Sequence, residues 1–492
     1  MESTSVLIAG AGPTGLLLAC ELRLAGVDVL VLDRLGERGN ESRAGGMHPR
    51  SIEILDQRGM LAPFLAQGQP IQAGHFSNIP LDFSRFATRH PYTLMLLQAR
   101  TERLLEAHLV ELGGQVRWSS EITGIEQDAD GVTVRINGAQ PIHADYLLGC
   151  DGGHSTVRKL AGIDFPGTPA TMTSLLGDVE LSDPPAERQL QGRTERGSFT
   201  VFAYEPGWHR VVVNQYDRVL DRHATVSFEE LRTAMIDVAS TDFGMHSPRW
   251  VSHFGDAARL AGQYRDGRIL LAGDAAHIHF PAGGQGMNTG LQDAMNLGWK
   301  LALVANGRAP QTLLDTYQAE RRPVADRVLH NTRAQTFLGH PGPHADALRE
   351  TITTLVGIDA ANDTLGMMIA ALDLKYPVDG AHPLLGRRVP DLDLKTADGT
   401  VRLYELLHQG RPVLLDFDGG LGDALRGWTD RVDYVDAVRP TGDWSIPAVG
   451  DIPASAALLV RPDGYVAWLP GTSVELRTAL ETWFGPELSE IA

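Results

Sequence analysis

The chain has 492 residues, 43% apolar and 21% charged, an ordinary balance for a globular protein and enough length for about three domains. Its 43 basic residues against 61 acidic ones leave a formal charge of −18, which argues against nucleic acid or an anionic membrane as partner, since both need clustered cations. Only Cys20 and Cys150 occur as cysteines, both in apolar stretches, so a cysteine-built metal site is excluded by count and a reducing, cytoplasmic compartment is expected. No basic region precedes the first apolar run, and Leu16–Ala19 is far too short to span a bilayer, so neither a signal peptide nor a membrane segment is read.

In chain order, Ser5–Ala9 is a short apolar run of strand type, Pro13–Ala25 has helical spacing ended by Gly26, and Val27–Asp33 is a second strand-type run. Parallel strands joined by a helix must be covered on both faces, so an α/β layer fold begins here. Residues 100–116 predict another helix and turn. Asp128–Ile142 predicts a hairpin, with turn signals at Asp128–Gly131 and Asn137–Gly138, and Asp145–Cys150 reads as a buried strand. Residues 170–266 change character: short runs such as Ser198–Tyr204 and Trp208–Tyr216 alternate with turn residues and predict an inserted antiparallel sheet. Residues 267–340 return to strand, loop and helix. A Pro- and Gly-rich boundary falls near 375–390. Beyond it Arg411–Phe417 and Ser455–Gly471 read as strands and Val474–Phe484 as a closing helix.

Three motifs carry chemistry. In Gly10–Gly15 (GAGPTG), Gly10 allows the tight turn, Gly12 lets the backbone approach a diphosphate, and Gly15 permits close helix–strand packing beside a helix start that attracts phosphate. Asp33 ends the second strand 23 residues after Gly10, where an acid accepts ribose hydroxyls. Second, Asp151 with Gly152–Gly153 suits a loop near the diphosphate, although by itself it reads equally as an Asp-Gly turn. Third, Asp274 follows a strand directly and can accept a ribityl hydroxyl, and Pro281–Gly286 is a glycine-rich loop opening a helix, whose positive end suits the anionic edge of a reduced flavin. His277 and His279 as a metal pair is a weak rival, for no third ligand is evident, and no metal is expected.

Gly10–Gly15, Asp151–Gly152 and Gly273–Asp274, in this order and spacing, resemble the three fingerprints of the group A (single-component) flavoprotein aromatic hydroxylases. The likeness covers essentially the whole chain. It is closer to actinomycete hydroxylases of aromatic polyketides, of angucycline and anthracycline type, and to rifampicin monooxygenases. It is carried by Glu21–Val27, Asp56–Leu61, Gly149–Gly153, Ser247–His277 and Pro281–Asn288. The resemblance implies an α/β fold with a para-hydroxybenzoate-hydroxylase-like, Rossmann-type FAD/NAD(P)-binding domain (1–74, 101–169 and 267–380). It adds an inserted antiparallel β substrate domain (75–100 and 170–266) and a thioredoxin-like C-terminal domain (385–492). That last domain has no cysteine and therefore no disulfide exchange.

It also implies FAD as cofactor and NADPH or NADH as a transient reductant with no Rossmann domain of its own. O2 adds to the reduced flavin, and the C4a-hydroperoxyflavin oxidises a large aromatic substrate; a homodimer is an allowed assembly. Among the residues, Gly12, Pro13 and Thr14 would line the diphosphate, and Asp33 and Arg34 would meet the adenosine ribose. Arg43 and Gln98 would reach the flavin, Asp151 and Gly152 would serve both FAD and the nicotinamide cofactor, and Thr156 would belong to the same cofactor-binding set. Gly273, Asp274, Gly286, Met287 and Asn288 would sit by the ribityl and ring portions, Pro281 and Gly284 near C4a. Ala44–Gly46 would let the flavin swing. These relatives usually carry Glu where this chain has Asp33.

For the substrate pocket the candidates are Phe76, Phe83, Phe202, Tyr204, Arg210 and Tyr216, with His209 as a further polar contact, each as readily core packing; no general base is nameable from the sequence. Baeyer–Villiger oxygenation uses the same peroxide chemistry and is not separable at this level, nor is oxidative inactivation of a rifamycin-type antibiotic. Halogenation is disfavoured: the related motif is reduced to Trp444–Ser445–Ile446–Pro447 in the C-terminal block. A sequestering, non-enzymatic flavoprotein is the remaining class, against which the intact fingerprints argue.

Overall fold

The computed structural model describes residues 2–39, 41–221 and 224–487. Strand Glu2–Ala9 forms the middle of the main sheet, paired in parallel with Val29–Leu32 on one side and Ile142–Gly149 on the other; Ile269–Leu271 extends the sheet in parallel beyond Gly149. Toward their carboxyl ends, at Val6–Ala9, Val29–Leu32, Tyr146–Gly149 and Ile269–Leu271, these strands are buried apolar runs because both faces are covered. Helix Pro13–Leu24 lies on one face, packed between helices Gln98–Glu111 and Gln285–Ala305. The register is the important point for function. Ala9 pairs with Leu32 and Gly149, and Gly149 with Leu271, so all four strands end level. Outside those carboxyl ends lie Gly10, Asp33, Asp151 and Gly273–Asp274, at the edge where open α/β sheets bind ligands.

The expected hairpin is present as Ile122–Gln127 and Val132–Ile136, continuing antiparallel onto Ile142–Gly149. Its first turn closes on Asp128, whose carboxylate accepts the amides of Asp130 and Gly131.

A separate antiparallel sheet of five strands runs in the order 189–194, 197–205, 208–215, 173–181, 245–255. Helix Phe228–Ala239, started by a reciprocal cap between Ser227 and Glu230, covers one face. Leu231, Ala234, Met235 and Val238 bury Leu175, Val179, Val201, Val211 and Val213 there. Because side chains alternate along a strand, Phe202 and Arg210 emerge on the opposite face, toward the first domain.

Residues 75–100, expected with this sheet, add no strand to it, although Arg100 at their end pairs with its Glu205. Ala73–Phe76 and Ile79–Asp82 form their own hairpin, and Thr93–Met95 pairs with Gly46–Met47 and Gln69–Ile71.

The C-terminal sheet has the order 433–436, 413–416, 457–460, 466–468, the first pair parallel and the rest antiparallel. One face has its own core around Leu403, Leu415, Val460 and Val466. The other joins the main core, where Trp483 and Phe484 of helix Leu476–Phe484 meet Trp299 at 6.4 and 6.0 Å. A buried charge cluster sits at this junction. Glu320 accepts Arg461 at 2.6 and 2.9 Å and Lys300 at 2.8 Å, and Arg461 also meets Asp463. Burial alone raises the Glu320 carboxyl, but Arg461 and Lys300 outweigh it and hold it down at about 2. Among the described residues no helix is long and apolar enough to cross a membrane.

Candidate active site

The three glycines of the first turn have separable roles. Gly10 stands at φ +103°, and a Cβ there would lie 2.4 Å from the Cys150 carbonyl oxygen. A Cβ on Gly15 would lie 2.1 Å from the Gly10 oxygen. Both are backbone collisions, so these two glycines are demanded by packing. Gly12 differs: its Cβ would meet nothing within 4 Å. It opens helix Pro13–Leu24 with no side-chain cap, leaving a helix start beside free space. Thr14 is wedged behind, its Oγ1 2.7 and 2.3 Å from the Cβ positions of Gly273 and Gly290. First and third fingerprints are thus in direct contact.

Asp33 accepts the amides of Ala11 (2.8 Å) and Leu35 (2.9 Å). Both oxygens keep a second lone pair, so the shorter acid still fits a ribose beside the turn. Arg34 is exposed. The cation that reaches the turn is Arg38, bonded to the Ala11 oxygen at 3.1 Å and held by Glu102 and Glu106.

Asp151 accepts Thr156 N–H at 2.6 Å and Val157 N–H at 3.1 Å through Oδ2, capping the short helix Thr156–Leu160. Its Oδ1 is buried without a partner, an unspent acceptor beside the Gly10 turn, and Gly152 follows at φ +80° with open space at its Cβ. An orphaned acceptor and two glycines facing emptiness are what an extended hydroxyl- and phosphate-bearing group would fill. Arg158 then bridges the second and third fingerprints, donating to Ala275 (2.7 Å) and Gly153 (3.0 Å).

Gly273 turns at φ +61° and donates to Asp293 at 3.1 Å. Asp293, wholly buried, also takes His277 (2.7 Å) and Arg321 (2.7 Å). Burial opposes its ionisation, but Arg321 and His277 prevail and hold the carboxyl below the usual range. Asp274 next door is exposed and carries no such bond. The two histidines point to different partners: His277 to Asp293, His279 to the Phe280 carbonyl at 2.7 Å.

Pro281 is exposed, Gly283 and Gly284 turn at φ +70° and +65°, and Gly284 caps helix Gln285–Ala305. Gly286 and Met287 follow half-buried on its first turn. Asn288 ties this start to the opposite loop: it donates to Gly284 O (2.8 Å) and Gly46 O (3.3 Å) and accepts His48 N–H (2.8 Å). His48 Nδ1 lies 3.0 Å from the Ile369 carbonyl, which only accepts, so Nδ1 carries the proton. Its Nε2 lone pair is 3.5 Å from the Gly284 Cβ position. Burial, with help from His75, pushes His48 down to about 4, so it is neutral at pH 7.

The Ala44–Gly46 loop is anchored by Gln98, whose side-chain oxygen accepts Ala44 N–H at 3.2 Å and whose backbone N–H donates to Ala44 O at 2.9 Å. Arg43 is exposed and reaches Ser252 at 3.4 Å.

The six pocket candidates divide. Phe202 has its ring tip 3.8 Å from the Gly45 Cβ position, with Tyr204 edge-on at 6.2 Å. Arg210 is buried, paired with Asp178 at 2.8 and 2.9 Å, and donates to the Arg43 carbonyl at 3.1 Å; it positions the loop. Phe83 is fully buried and Phe76 nearly so, in an apolar cluster with Phe86 and Ile369. Their rings are core because the hairpin that carries them packs on helix Asp359–Ala370. Tyr216 donates to the Gly339 carbonyl at 2.6 Å and its ring lies tilted against His340, 4.3 Å between centroids. Arg38, His48, Arg158 and Asn288's link to Gly46 were not foreseen as a group. The only local signal was Pro49 after His48, marking a helix start.

Comparison with known proteins agrees with this geometry. Residues 3–332 match the FAD binding domain family, and residues 382–486 match the C-terminal domain of aromatic-ring hydroxylases. A 12-dehydrotetracycline 5-monooxygenase/anhydrotetracycline 6-monooxygenase of Streptomyces rimosus subsp. rimosus is 49% identical, over 98% of this chain and 99% of its own. A rifampicin monooxygenase of Streptomyces venezuelae is 45% identical over 98% of each chain. The crystal structure of CabE, an aromatic hydroxylase from angucycline biosynthesis, superposes with a TM-score of 0.92 at 41% identity, over 99% of this chain and all of that one. The chain belongs to the FAD-dependent, single-component aromatic-ring hydroxylases and is a monooxygenase of that family.

Proposed function

We propose that this monooxygenase hydroxylates an electron-rich ring of a large aromatic polyketide or comparable phenolic natural product, with NAD(P)H as reductant and O2 as oxidant. The observation that supports it best is the approach of Phe202 to Gly45: the aromatic face of the five-stranded sheet stands over the loop fronting the Pro281–Gly286 turn. The names of the tetracycline, rifampicin and angucycline relatives point to the same substrate class. The free thiols Cys20 and Cys150 suit a reducing cytoplasm, and a homodimer is testable by light scattering.

In this reading, bound FAD supplies the redox and oxygen-activating chemistry. The Gly12–Gly15 helix start holds the diphosphate, with Asp151 Oδ1 as an adjacent acceptor. Asp33 accepts ribose hydroxyls and Asp274 a ribityl hydroxyl. The Gly284–Asn288 helix start would hold the flavin ring and favour negative charge on it. Pro281 and Gly284 line the space for oxygen, while Phe202 and Tyr204 exclude water from the ring that is oxidised.

Two measurements test this. The purified protein is yellow, and an added aromatic polyketide accelerates NADPH oxidation and gains one oxygen by mass spectrometry; a protein that takes up no FAD sinks the reading. A new phenol, rather than a ring-expanded lactone, identifies hydroxylation. Asp274→Ala lowers FAD retention sharply, and unchanged FAD content in that variant moves the ribityl site elsewhere.

A further inference from the structure

A cavity of about 460 Å³ lies beside the Arg43–Gly46 segment, between the first turn of helix Gln98–Glu111 and strands 197–205 and 245–255. Arg100, Arg103, Arg249, Glu205, Trp250 and Ser42 are among the residues that line it. On a chain of formal charge −18 a cleft rich in guanidinium is out of character. Glu205 stands between two of the arginines: Arg249 meets one oxygen at 2.9 Å and Arg100 the other. Two guanidiniums therefore share one carboxylate, and the trio carries a surplus positive charge. The second acid in the cleft, Asp178, is already neutralised by Arg210.

The donors available to a ligand come from side chains. The first-turn amides are engaged, Gln98 N–H with Ala44 and Ala99 N–H with Ser42 Oγ. Arg100 and Arg249 keep 36% and 40% of their side-chain surface open, and each has five N–H groups. Arg249 is braced flat on Trp208 at 3.6 Å. Trp250, with its indole N–H fixed on Asp178 at 2.9 Å, supplies a flat wall beside them.

We propose that this cleft is the docking site of the reducing nicotinamide dinucleotide, with Arg100 and Arg249 clamping its diphosphate and Trp250 flanking a ring. This deepens the monooxygenase reading and rests on it. The chain has one glycine turn of dinucleotide type, Gly10–Gly15, so a second dinucleotide has no helix end of its own and must be held by side-chain cations. The cleft is also one residue from Arg43, so a reductant held there is beside the loop that fronts the flavin site. Glu205 occupies the place between the two guanidiniums that the ligand's anion would take.

The test uses non-redox probes on FAD-loaded enzyme: ADP-ribose and 2′-phospho-ADP-ribose, titrated by calorimetry. Arg100→Gln and Arg249→Gln each raise the Kd of both probes about tenfold, as loss of one charge-assisted bond requires. FAD content and Tm stay at wild-type values. Glu205→Gln removes the competing anion and tightens both probes, a gain that structural damage cannot imitate. Arginine variants within twofold of wild type, weaker binding in Glu205→Gln, or a loss confined to the 2′-phosphorylated probe each overturn the diphosphate clamp. Bleaching of the flavin's visible absorption by NADPH separates the two levels. If wild type bleaches and the variants bind normally, only this inference fails; if wild type never bleaches, the monooxygenase reading fails with it.

Discussion

Replacing Glu320 by Gln takes one charge from a buried quartet that sums to zero, Arg461 and Lys300 against Glu320 and Asp463. Glu320 and Arg461 are at most 1% exposed, so little solvent screens them. Arg461 loses the carboxylate behind two bonds of 2.6 and 2.9 Å, each worth about 1.5–3 kcal/mol, and Gln returns one neutral acceptor. Lys300 already sits at about 8 against 10.5, because burial outweighs the pull of Glu320. Without Glu320 it falls further and sheds its proton near neutral pH, which limits the damage to about 3–5 kcal/mol. The signature is in the pH dependence. Below pH 8 the wild-type lysine is charged both folded and unfolded and adds no slope. In the variant only the unfolded lysine keeps its proton, so variant stability rises by about 1.4 kcal/mol per pH unit between roughly 6 and 8. Above pH 8 the two curves run parallel. Tryptophan fluorescence during urea unfolding from pH 6 to 9 reads this out. A gap below about 1 kcal/mol, or one that ignores pH, refutes the reasoning.

The turn glycines give opposite outcomes. Gly12→Ala meets open space, so the apo protein keeps its Tm within about 1 °C while FAD occupancy falls; Gly15→Ala collides with Gly10 O and costs about 2–3 kcal/mol of apo stability. Equal thermal loss in both would show that Gly12 is packed rather than open. His48 is held near 4 by burial against an ordinary 6.5, so acid protonates it in the unfolded state first. Its contribution is constant above about pH 6.5 and falls by about 3 kcal/mol as pH drops to 4. His48→Gln flattens this part of the stability profile, and an unchanged acid slope would place the titration elsewhere.

Much of the first domain was legible because its signals are local. The Gly10–Gly15 turn, the Asp128–Gly131 turn and the strand before Asp274 each declare themselves within about ten residues, and the structure has the first and the last of them level at one sheet edge. The supports were not legible, because their partners are distant in the chain. Arg158 meets Ala275, Asn288 meets Gly46 and Arg461 meets Glu320 across 117, 242 and 141 residues. Phe83 and Phe202 are both aromatic residues near turns, yet one is sealed under a helix and the other faces the Gly45 loop; only strand pairing decides which side a ring takes. Arg210, a candidate substrate contact, has its partner within the protein, for Asp178 on the neighbouring strand takes both of its nitrogens.

The wholly buried Asp293 ties the turn that presents Asp274 to the helix that begins at Gly284, through Gly273, His277 and Arg321. These supports touch neither the five-stranded sheet nor its aromatic face. On the proposed function, substitutions at Phe202 and Tyr204 can therefore redraw that face while Asp293 keeps the Asp274 turn and the Gly284 helix start in place, Arg210 being the exception because it holds the Arg43 carbonyl from the same face. A lineage with this arrangement can explore new substrates at little risk to its chemistry, and an engineer seeking new specificity has the same freedom, provided that Asp293 and its partners are left alone.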